Sequence, residues 1–241
     1  DGVVSAASGS LFAMMERRYE AYKTIVVKPF FRNHFARMDR QIVLVDALQA
    51  LNAGPESVLD LEMALSDILS CFNHGRRSWL TSWFSGRTER ILFAATKADH
   101  LHHENHLRLQ AILQRLVQRA MKRAEFAGAE VDVLALAAIR ATREAEVSQN
   151  GGQLPVIVGT PNAGETIGGR AFDGLEETAL FPGDLPQDPE LALSGDIDDL
   201  ALKFVRFRPP VLEPNQSSME VEIPHIRLDR ALEFLLGDQL S

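Results

Sequence analysis

Three short, predominantly apolar blocks stand out along the first 140 positions. They cover residues 42–45, 91–95 and 131–137, and Asp132 is the one polar residue within them. An uninterrupted apolar run of this length is typical of a strand that is covered on both faces, as in a parallel sheet. Because helix-like stretches separate the blocks, the pattern predicts an α/β fold.

Four stretches place apolar residues at helical spacing. They are residues 8–24, with Ser8 or Ser10 as the N-cap, residues 57–71, residues 101–128, and residues 228–236, which end at Gly237. After the first stretch, Lys28-Pro29 is expected to interrupt regular structure, because proline lacks the N–H that a helix interior needs.

The composition changes at Asn150, where Gly, Pro and Thr become frequent. Apolar runs after this point are short, at residues 154–158, 179–181 and 202–207. Short runs between turn-forming residues predict a small antiparallel, β-rich insertion, and no further alternation of strand and helix.

Composition and charge exclude some classes of protein. The formal net charge of −8 over 241 residues argues against a protein that binds nucleic acid through the charge of the phosphate backbone. The single cysteine, Cys71, cannot form an internal disulfide, which favours a reducing, cytoplasmic location. No run of eighteen apolar residues and no signal-peptide pattern is present, although a peripheral membrane contact stays open.

The chain begins at Asp1, without an initiating Met, and enters a helical pattern almost at once. We therefore expect a fragment whose natural N-terminal part is missing. No Gly-x-x-x-x-Gly-Lys-Ser/Thr motif occurs. The Gly-rich residues 164–169 lack the Lys, the long preceding strand and the following helix of a phosphate loop, so any such loop lies upstream.

The most informative stretch is Thr96-Lys97-Ala98-Asp99, which follows the second apolar block. In guanine-nucleotide-binding proteins, an Asn/Thr-Lys-x-Asp loop stands at this place. Its Asp carboxylate accepts two hydrogen bonds from guanine, a donor pair that adenine lacks. The Lys stem covers the base and ribose, and the first residue ties the loop to the phosphate loop. The motif is short, but its position directly after a buried strand strengthens the prediction.

Three further residues belong to this hypothesis. Asp46 follows the first apolar block, at the strand end where ligands bind in open α/β sheets. It predicts a carboxylate that holds Mg²⁺ through water, or alternatively a loop Asp that caps the next turn. The usual Asp-x-x-Gly continuation is absent. Ala138 and Ile139 follow the third block, where backbone N–H groups are expected to meet the base oxygen.

Four histidines lie within seven residues, at positions 100, 102, 103 and 106. They suggest zinc, but the spacing is not His-Glu-x-x-His, and the sequence reveals no third ligand. The pattern therefore favours a solvated first helical turn beside the nucleotide.

Trp79, Trp83 and Phe84 place three aromatic residues close together before the second block. They form either a contact for a protein partner or a membrane surface, or a cluster that packs under the sheet edge, and we favour packing.

Residues 40–55, 92–100, 224–229 and 231–238 closely resemble the YcjX-like family of bacterial phosphate-loop NTPases. The resemblance implies a Ras-like sheet flanked by helices, GTP binding and hydrolysis with Mg²⁺, and a link to the bacterial stress response. Family members carry a phosphate loop near their N-terminus, so the chain resembles their C-terminal part. Base recognition maps onto Thr96, Lys97 and Asp99, with Ala138 and Ile139 beside them.

This interpretation divides the chain into four parts. They are a helical and linker segment (1–38), the C-terminal part of a nucleotide-binding domain (39–149), the β-rich insertion (150–220) and a returning terminal helix (221–241). We expect a GTPase that acts as a nucleotide-dependent switch, with its catalytic residue unidentified. The alternatives are an interaction module with a structural nucleotide, and an ATPase.

Overall fold

A computed structural model describes residues 9–33, 38–71, 88–149, 151–194, 202, 204–212 and 222–240. Contacts divide the chain into two units, one of residues 1–39 with 72–88 and one of residues 40–71 with 89–241. Among the described residues, no helix is both long enough and apolar enough to cross a membrane.

The first unit contains helix α1 (Leu11–Tyr22), a π-helical turn (Lys23–Val27) and helix α2 (Lys28–Asn33). Ser10 caps α1, and its side chain accepts a hydrogen bond from the Ala13 N–H at 3.2 Å. The expected break at Lys28-Pro29 is wrong, because α2 follows directly on the π-helical turn, in which the Lys28 N–H donates to the Lys23 carbonyl. Trp79, Trp83 and Phe84 lie outside the described residues, so their role stays a prediction.

The second unit is built on a three-stranded parallel sheet. Its elements in chain order are β1 (Arg40–Val45), α3 (Ala47–Ala53), α4 (Pro55–Cys71), β2 (Arg90–Ala95), α5 (His106–Ala127) and β3 (Glu130–Ala135). The strand order is β1-β2-β3, and Val45 pairs with Ala95, which pairs with Ala135. The three strands therefore end level at one edge, and the predicted α/β class with a parallel sheet is confirmed.

Helices pack on both faces of the sheet at β2 and β3. Leu92, Ala94 and Leu134 form a buried cluster with Ala231 of helix α7 (Leu228–Leu240). Side chains alternate along a strand, so Phe93 points to the opposite face. Helix α5 packs against β2 and β3 and buries its own apolar stripe.

Two predicted helix boundaries are wrong. The helix expected from residue 101 begins at His106, after two 3₁₀ turns (Ala98–His100 and His103–Asn105), because the buried Leu101 between them has an extended backbone. The last helix does not stop at Gly237 but continues to Leu240. There Arg40 donates a hydrogen bond to the Leu235 carbonyl at 2.5 Å, which stabilises the final turn.

The β-rich part contains an antiparallel sheet and a hairpin. The sheet consists of β4 (Arg143–Gln149), β5 (Gly152–Gly159) and β8 (Thr178–Leu180), while β6 (Thr166–Ile167) and β7 (Arg170–Ala171) form the hairpin. The antiparallel strands thus begin before the change in composition at Asn150. Gly168 and Gly169 form the hairpin turn with φ of 57° and 81°, which agrees with the rejection of this segment as a phosphate loop. A short helix, α6 (Pro189–Ser194), follows.

Candidate functional site

The loop of residues 96–99 is fastened on both sides at the carboxyl edge of the parallel sheet. The Thr96 N–H donates to the Val45 carbonyl at 2.9 Å, at the end of β1. The Ala98 N–H donates to the Leu136 carbonyl at 3.1 Å, just beyond β3. Because β2 lies between these two strands, the loop is held at the middle of the edge, where ligands bind in open α/β sheets.

The side chain of Lys97, which precedes the 3₁₀ turn of residues 98–100, contacts Asp46 at the end of β1. The backbone of Lys97 adopts the left-handed conformation, with φ of 61°, which is uncommon for a residue with a side chain. Its Nζ lies 2.5 Å from Oδ2 of Asp46. The other oxygen of Asp46 accepts the Gln49 N–H at 3.1 Å and caps α3. Asp46 thus caps the helix, as the alternative interpretation of the sequence predicted. Its role toward Mg²⁺ stays a prediction.

Asp99 is a buried carboxylate, with only 4% of its surface exposed. Its Oδ2 accepts the Ala141 N–H at 2.8 Å, and its backbone carbonyl accepts the Thr142 hydroxyl. A carboxylate offers about four acceptor positions, so about three of them remain for other donors. Ala141 and Thr142 were not recognised in the sequence, because neither residue belongs to the motif.

A pocket of about 240 Å³ opens where these elements meet. It is lined by Leu44, Thr96, Lys97, Asp99, His100, Leu136, Ala137, Ala138, Ile139 and Ala141. The structure thus brings together all five residues predicted to bind guanine. The wall is mostly apolar and carries one buried carboxylate, a combination that suits a flat heterocycle with N–H donors on one edge.

His100 forms part of the same pocket and was missed as a pocket residue. Its ring meets the edge of Phe207, with centroids 5.2 Å apart and planes at 80°. Burial lowers the pKa of His100 and outweighs the opposing effect of Asp99. The imidazole is therefore expected to be neutral at pH 7 and to line the pocket without a positive charge.

The prediction of a solvated histidine turn is wrong for three of the four residues. His100, His102 and His106 are only 9%, 7% and 5% exposed. Residues from outside the local sequence cover this segment. The neighbouring Asn105, for example, accepts the Leu185 N–H at 2.9 Å.

A larger depression of about 390 Å³ lies along the outer side of α5. Arg115, Gln118 and Lys122 line it together with Pro189. Arg115 pairs with Glu190 of α6, so the depression follows a junction between two helices. Its lining consists largely of long, flexible polar side chains, so the sheet-edge pocket is the better candidate site.

A family model, the YcjX-like family, DUF463, matches residues 2–240. The chain belongs to the YcjX-like family. This confirms the resemblance that the motif blocks indicated.

Two relatives are both called "Ras-like GTPase YcjX". The protein of Escherichia coli (strain K12) is 39% identical over 227 residues, which are 94% of this chain and 45% of the relative. The protein of Shewanella oneidensis is 36% identical over 232 residues, which are 96% of this chain and 45% of the relative. This YcjX-like chain therefore spans about half the length of the curated relatives it matches.

Proposed function

We propose that the intact protein binds GTP and hydrolyses it with the help of Mg²⁺, and that Thr96, Lys97 and Asp99, with Ala138 and Ile139, form the guanine site. The buried Asp99 carboxylate in the sheet-edge pocket is the observation that carries this proposal. The names of the two relatives support it independently.

The preference for guanine follows from the hydrogen-bonding capacity of Asp99. Guanine presents a ring N–H and an exocyclic amine side by side, and both donate to a carboxylate. Adenine presents a ring nitrogen lone pair there, which would face the carboxylate without a hydrogen between them. A site built around buried hydrogen bonds strongly rejects an analogue that cannot form them. The bond from the Ala141 N–H leaves enough acceptor positions for both guanine donors.

The size of the pocket fits a base better than a whole nucleotide. Its 240 Å³ is below the range of about 300–1,000 Å³ for sites that enclose a complete small ligand. We therefore propose that another part of the intact protein binds the phosphates. On β1, Ile42 and Leu44 are 42% and 61% exposed, although strands of parallel sheets are normally covered on both faces. We therefore propose that another part of the intact protein packs on the exposed side chains of β1.

The remaining expectations complete the proposal. We assign residues 39–149 to the C-terminal part of a nucleotide-binding domain with a Ras-like sheet, residues 150–220 to an insertion that pairs with β4, and residues 221–241 to a returning terminal helix. We also propose a role as a nucleotide-dependent switch in the bacterial stress response. The cytoplasm is the proposed location. Asp46 either holds the Mg²⁺ ion through water or fixes the position of Lys97.

The base preference is tested by titrating GDP, ADP and XDP into the intact protein and its Asp99→Asn variant. We expect the parent to bind GDP at least about 100-fold more tightly than ADP, since adenine would leave the buried Asp99 carboxylate without the two donors that guanine supplies. In Asp99→Asn the amide can donate to the xanthine oxygen, so the preference should shift from GDP toward XDP. Asp60→Asn, at an exposed position on α4, is the matched control and should bind as the parent does.

Three outcomes would contradict parts of the proposal. Equal affinity for GDP and ADP in the parent would end the guanine assignment, and tighter binding of ADP would favour an ATPase. Absence of GTP turnover by the intact protein with Mg²⁺ would remove hydrolysis. If Trp83→Ala then abolished binding of a protein partner, an interaction module with a structural nucleotide would be the better description.

A further inference from the structure

Two histidines and a glutamate from different parts of the fold converge beside the base-recognition loop. His102 and His103 belong to the segment between β2 and α5, while Glu144 lies on β4. His103 Nδ1 is 2.6 Å and His102 Nε2 is 3.7 Å from Glu144 Oε2. One potential ligand atom of each residue lies within 4.8 Å of the other two. The sequence lacked a third ligand for its histidines, and the fold supplies one from β4.

We propose that His102 Nε2, His103 Nδ1 and Glu144 Oε2 bind a divalent transition-metal ion, for which Zn²⁺ is the best match. Imidazole nitrogen and carboxylate oxygen are ordinary zinc ligands, and three protein ligands leave a fourth position for water. This assignment concerns residues outside the guanine site and does not depend on the proposed function.

The donor atoms reach the spacing of a zinc site if the side chain of His103 moves. Tetrahedral bonds of about 2.0–2.1 Å place neighbouring ligand atoms about 3.3 Å apart. The His102–Glu144 separation of 3.7 Å is close to this value. The His103–Glu144 separation of 2.6 Å is a direct hydrogen bond that the ion would replace. The two histidine nitrogens lie within 4.8 Å of each other, so His103 has to approach His102 by up to about 1.5 Å to reach the separation of a tetrahedral site. The side chain of His103 is 63% exposed, which leaves it room for this movement.

The buried ring of His102 directs its Nε2, and not its Nδ1, toward Glu144. The residue is 7% exposed, and its Nδ1 has no hydrogen-bond partner among the described residues. The nearest carboxylate oxygen, from Glu104, lies 3.8 Å from Nδ1, while Nε2 faces Glu144. Metal-binding histidines commonly direct one nitrogen to the ion and the other toward a carboxylate. A bound ion would therefore give a reason for this buried ring and its orientation.

Arg140 does not block the site. Its guanidinium is 3.2 Å from Oε1 of Glu144, whereas both histidines approach Oε2. The two oxygens thus have separate partners, and Oε2 keeps capacity for the ion. Because residues 141 and 142 already bind Asp99, an ion between Glu144 and the histidines would add a second link between the segment after β2 and the chain around the start of β4.

The test uses the intact protein, purified without a polyhistidine tag and stripped of metal with a chelator. Titration with Co²⁺, followed by its visible absorption, and then with Zn²⁺ in competition should show one ion bound per chain. His103→Ala and Glu144→Gln should each weaken binding by roughly 10–100-fold or more. Zn²⁺ should also raise the unfolding temperature of the parent, because a ligand that binds only the folded state stabilises it.

Two matched controls are available in the chain. Glu146→Gln changes an exposed carboxylate two positions further along β4, and His225→Ala removes a histidine outside the cluster. Both should bind the ion as the parent does. Absence of stoichiometric Co²⁺ or Zn²⁺ binding in the parent would overturn the assignment. Unchanged binding by both His103→Ala and Glu144→Gln, with folding verified by circular dichroism, would overturn it as well.

Discussion

Lys97 and Asp46 form an ion pair that joins the loop after β2 to the end of β1, with Nζ and Oδ2 2.5 Å apart. Their side chains are 39% and 29% exposed, so water screens the pair only in part. The contact holds the side chain of Lys97, which lines the pocket together with Asp99. Asp46 therefore has a structural route by which it can influence a bound base without touching a metal.

The Asp46→Asn variant separates this route from the predicted role toward Mg²⁺. Asn is as good an N-cap as Asp, so α3 should keep its start while the ion pair is lost. We expect GDP affinity to fall by only about two- to fivefold, as for a partly exposed ion pair. The fall should be the same with Mg²⁺ and with chelator, as measured by nucleotide titration. A loss confined to the Mg²⁺ condition would instead assign Asp46 to the metal.

Gly159 is a position where the backbone of β5 approaches the pocket wall closely. A Cβ added there would lie 2.8 Å from Phe207 Cδ1, 3.1 Å from the Ala141 carbonyl oxygen and 3.2 Å from Thr142 Cγ2. The Ala141 oxygen belongs to the backbone and has little freedom to move. Gly159→Ala should therefore lower the free energy of unfolding by about 1–3 kcal/mol, measured by denaturant titration. It should also weaken base binding, because Ala141 lines the pocket.

Gly237→Ala provides the control of opposite sign. This glycine lies inside α7, and an added Cβ would meet Glu233 Cγ at an ordinary 3.5 Å. Alanine is a better helix former than glycine, so the free energy of unfolding should rise by about 0.5–1 kcal/mol. If both glycine variants shifted stability in the same direction, close approach would not explain the effect at Gly159.

The local sequence could predict the strand and the loop that carry the site, but not the contacts from distant segments that complete it. The strand ending at Ala95 was recognisable because parallel strands require continuous apolar runs, and the loop after it followed from its motif. The contacts of Asp99 with Ala141 and of His100 with Phe207 join distant segments, and no periodicity reports such contacts. The burial of the histidines was missed for the same reason. The capping role of Asp46, by contrast, was visible as an alternative, since an Asp directly before a helix is a common N-cap.

The end of α7 is held by two arginines that begin neighbouring strands. Arg40 binds both carboxylate oxygens of Asp238, at 2.6 and 2.7 Å, and Arg90 donates to the Phe234 carbonyl at 2.6 Å. The Arg40 side chain is only 10% exposed. Arg40→Met keeps much of the apolar stem but removes the paired bonds, so the unfolding temperature should fall by roughly 2–8 °C.

Thermal denaturation followed by circular dichroism measures this effect, and Arg40→Lys refines it. Lysine keeps the charge but cannot form the paired hydrogen bonds, so its unfolding temperature should lie between those of the parent and Arg40→Met. Arg143→Met is the control, because Arg143 forms its ion pair with Glu177 at an exposed site. A larger fall for Arg143→Met than for Arg40→Met would contradict the importance of the buried arginine.

His106 should make stability depend on pH. Burial lowers its pKa below 6.5, and the nearby Arg227 lowers it further. Hydrogen bonds with the backbone at Leu101 and Ala98 and the charge of Glu144 act in the opposite direction without cancelling the shift. The unfolded chain therefore takes up a proton near pH 6.5, while the folded protein does so only at lower pH. The stability that neutral His106 contributes is fully present above about pH 6.5 and is lost as the pH falls from there through the lower pKa of the folded protein.

The His106→Leu variant removes this proton uptake. We expect the free energy of unfolding of the parent to fall more steeply than that of the variant between pH 7.5 and pH 5.5. The difference in slope is at most about 1.4 kcal/mol per pH unit for one proton. Denaturant titrations with chelator present measure both slopes, and His225→Leu serves as the partly exposed control. Since loss of the backbone hydrogen bonds lowers stability at every pH, only the slope reports titration, and equal slopes for parent and His106→Leu would show that this histidine does not control it.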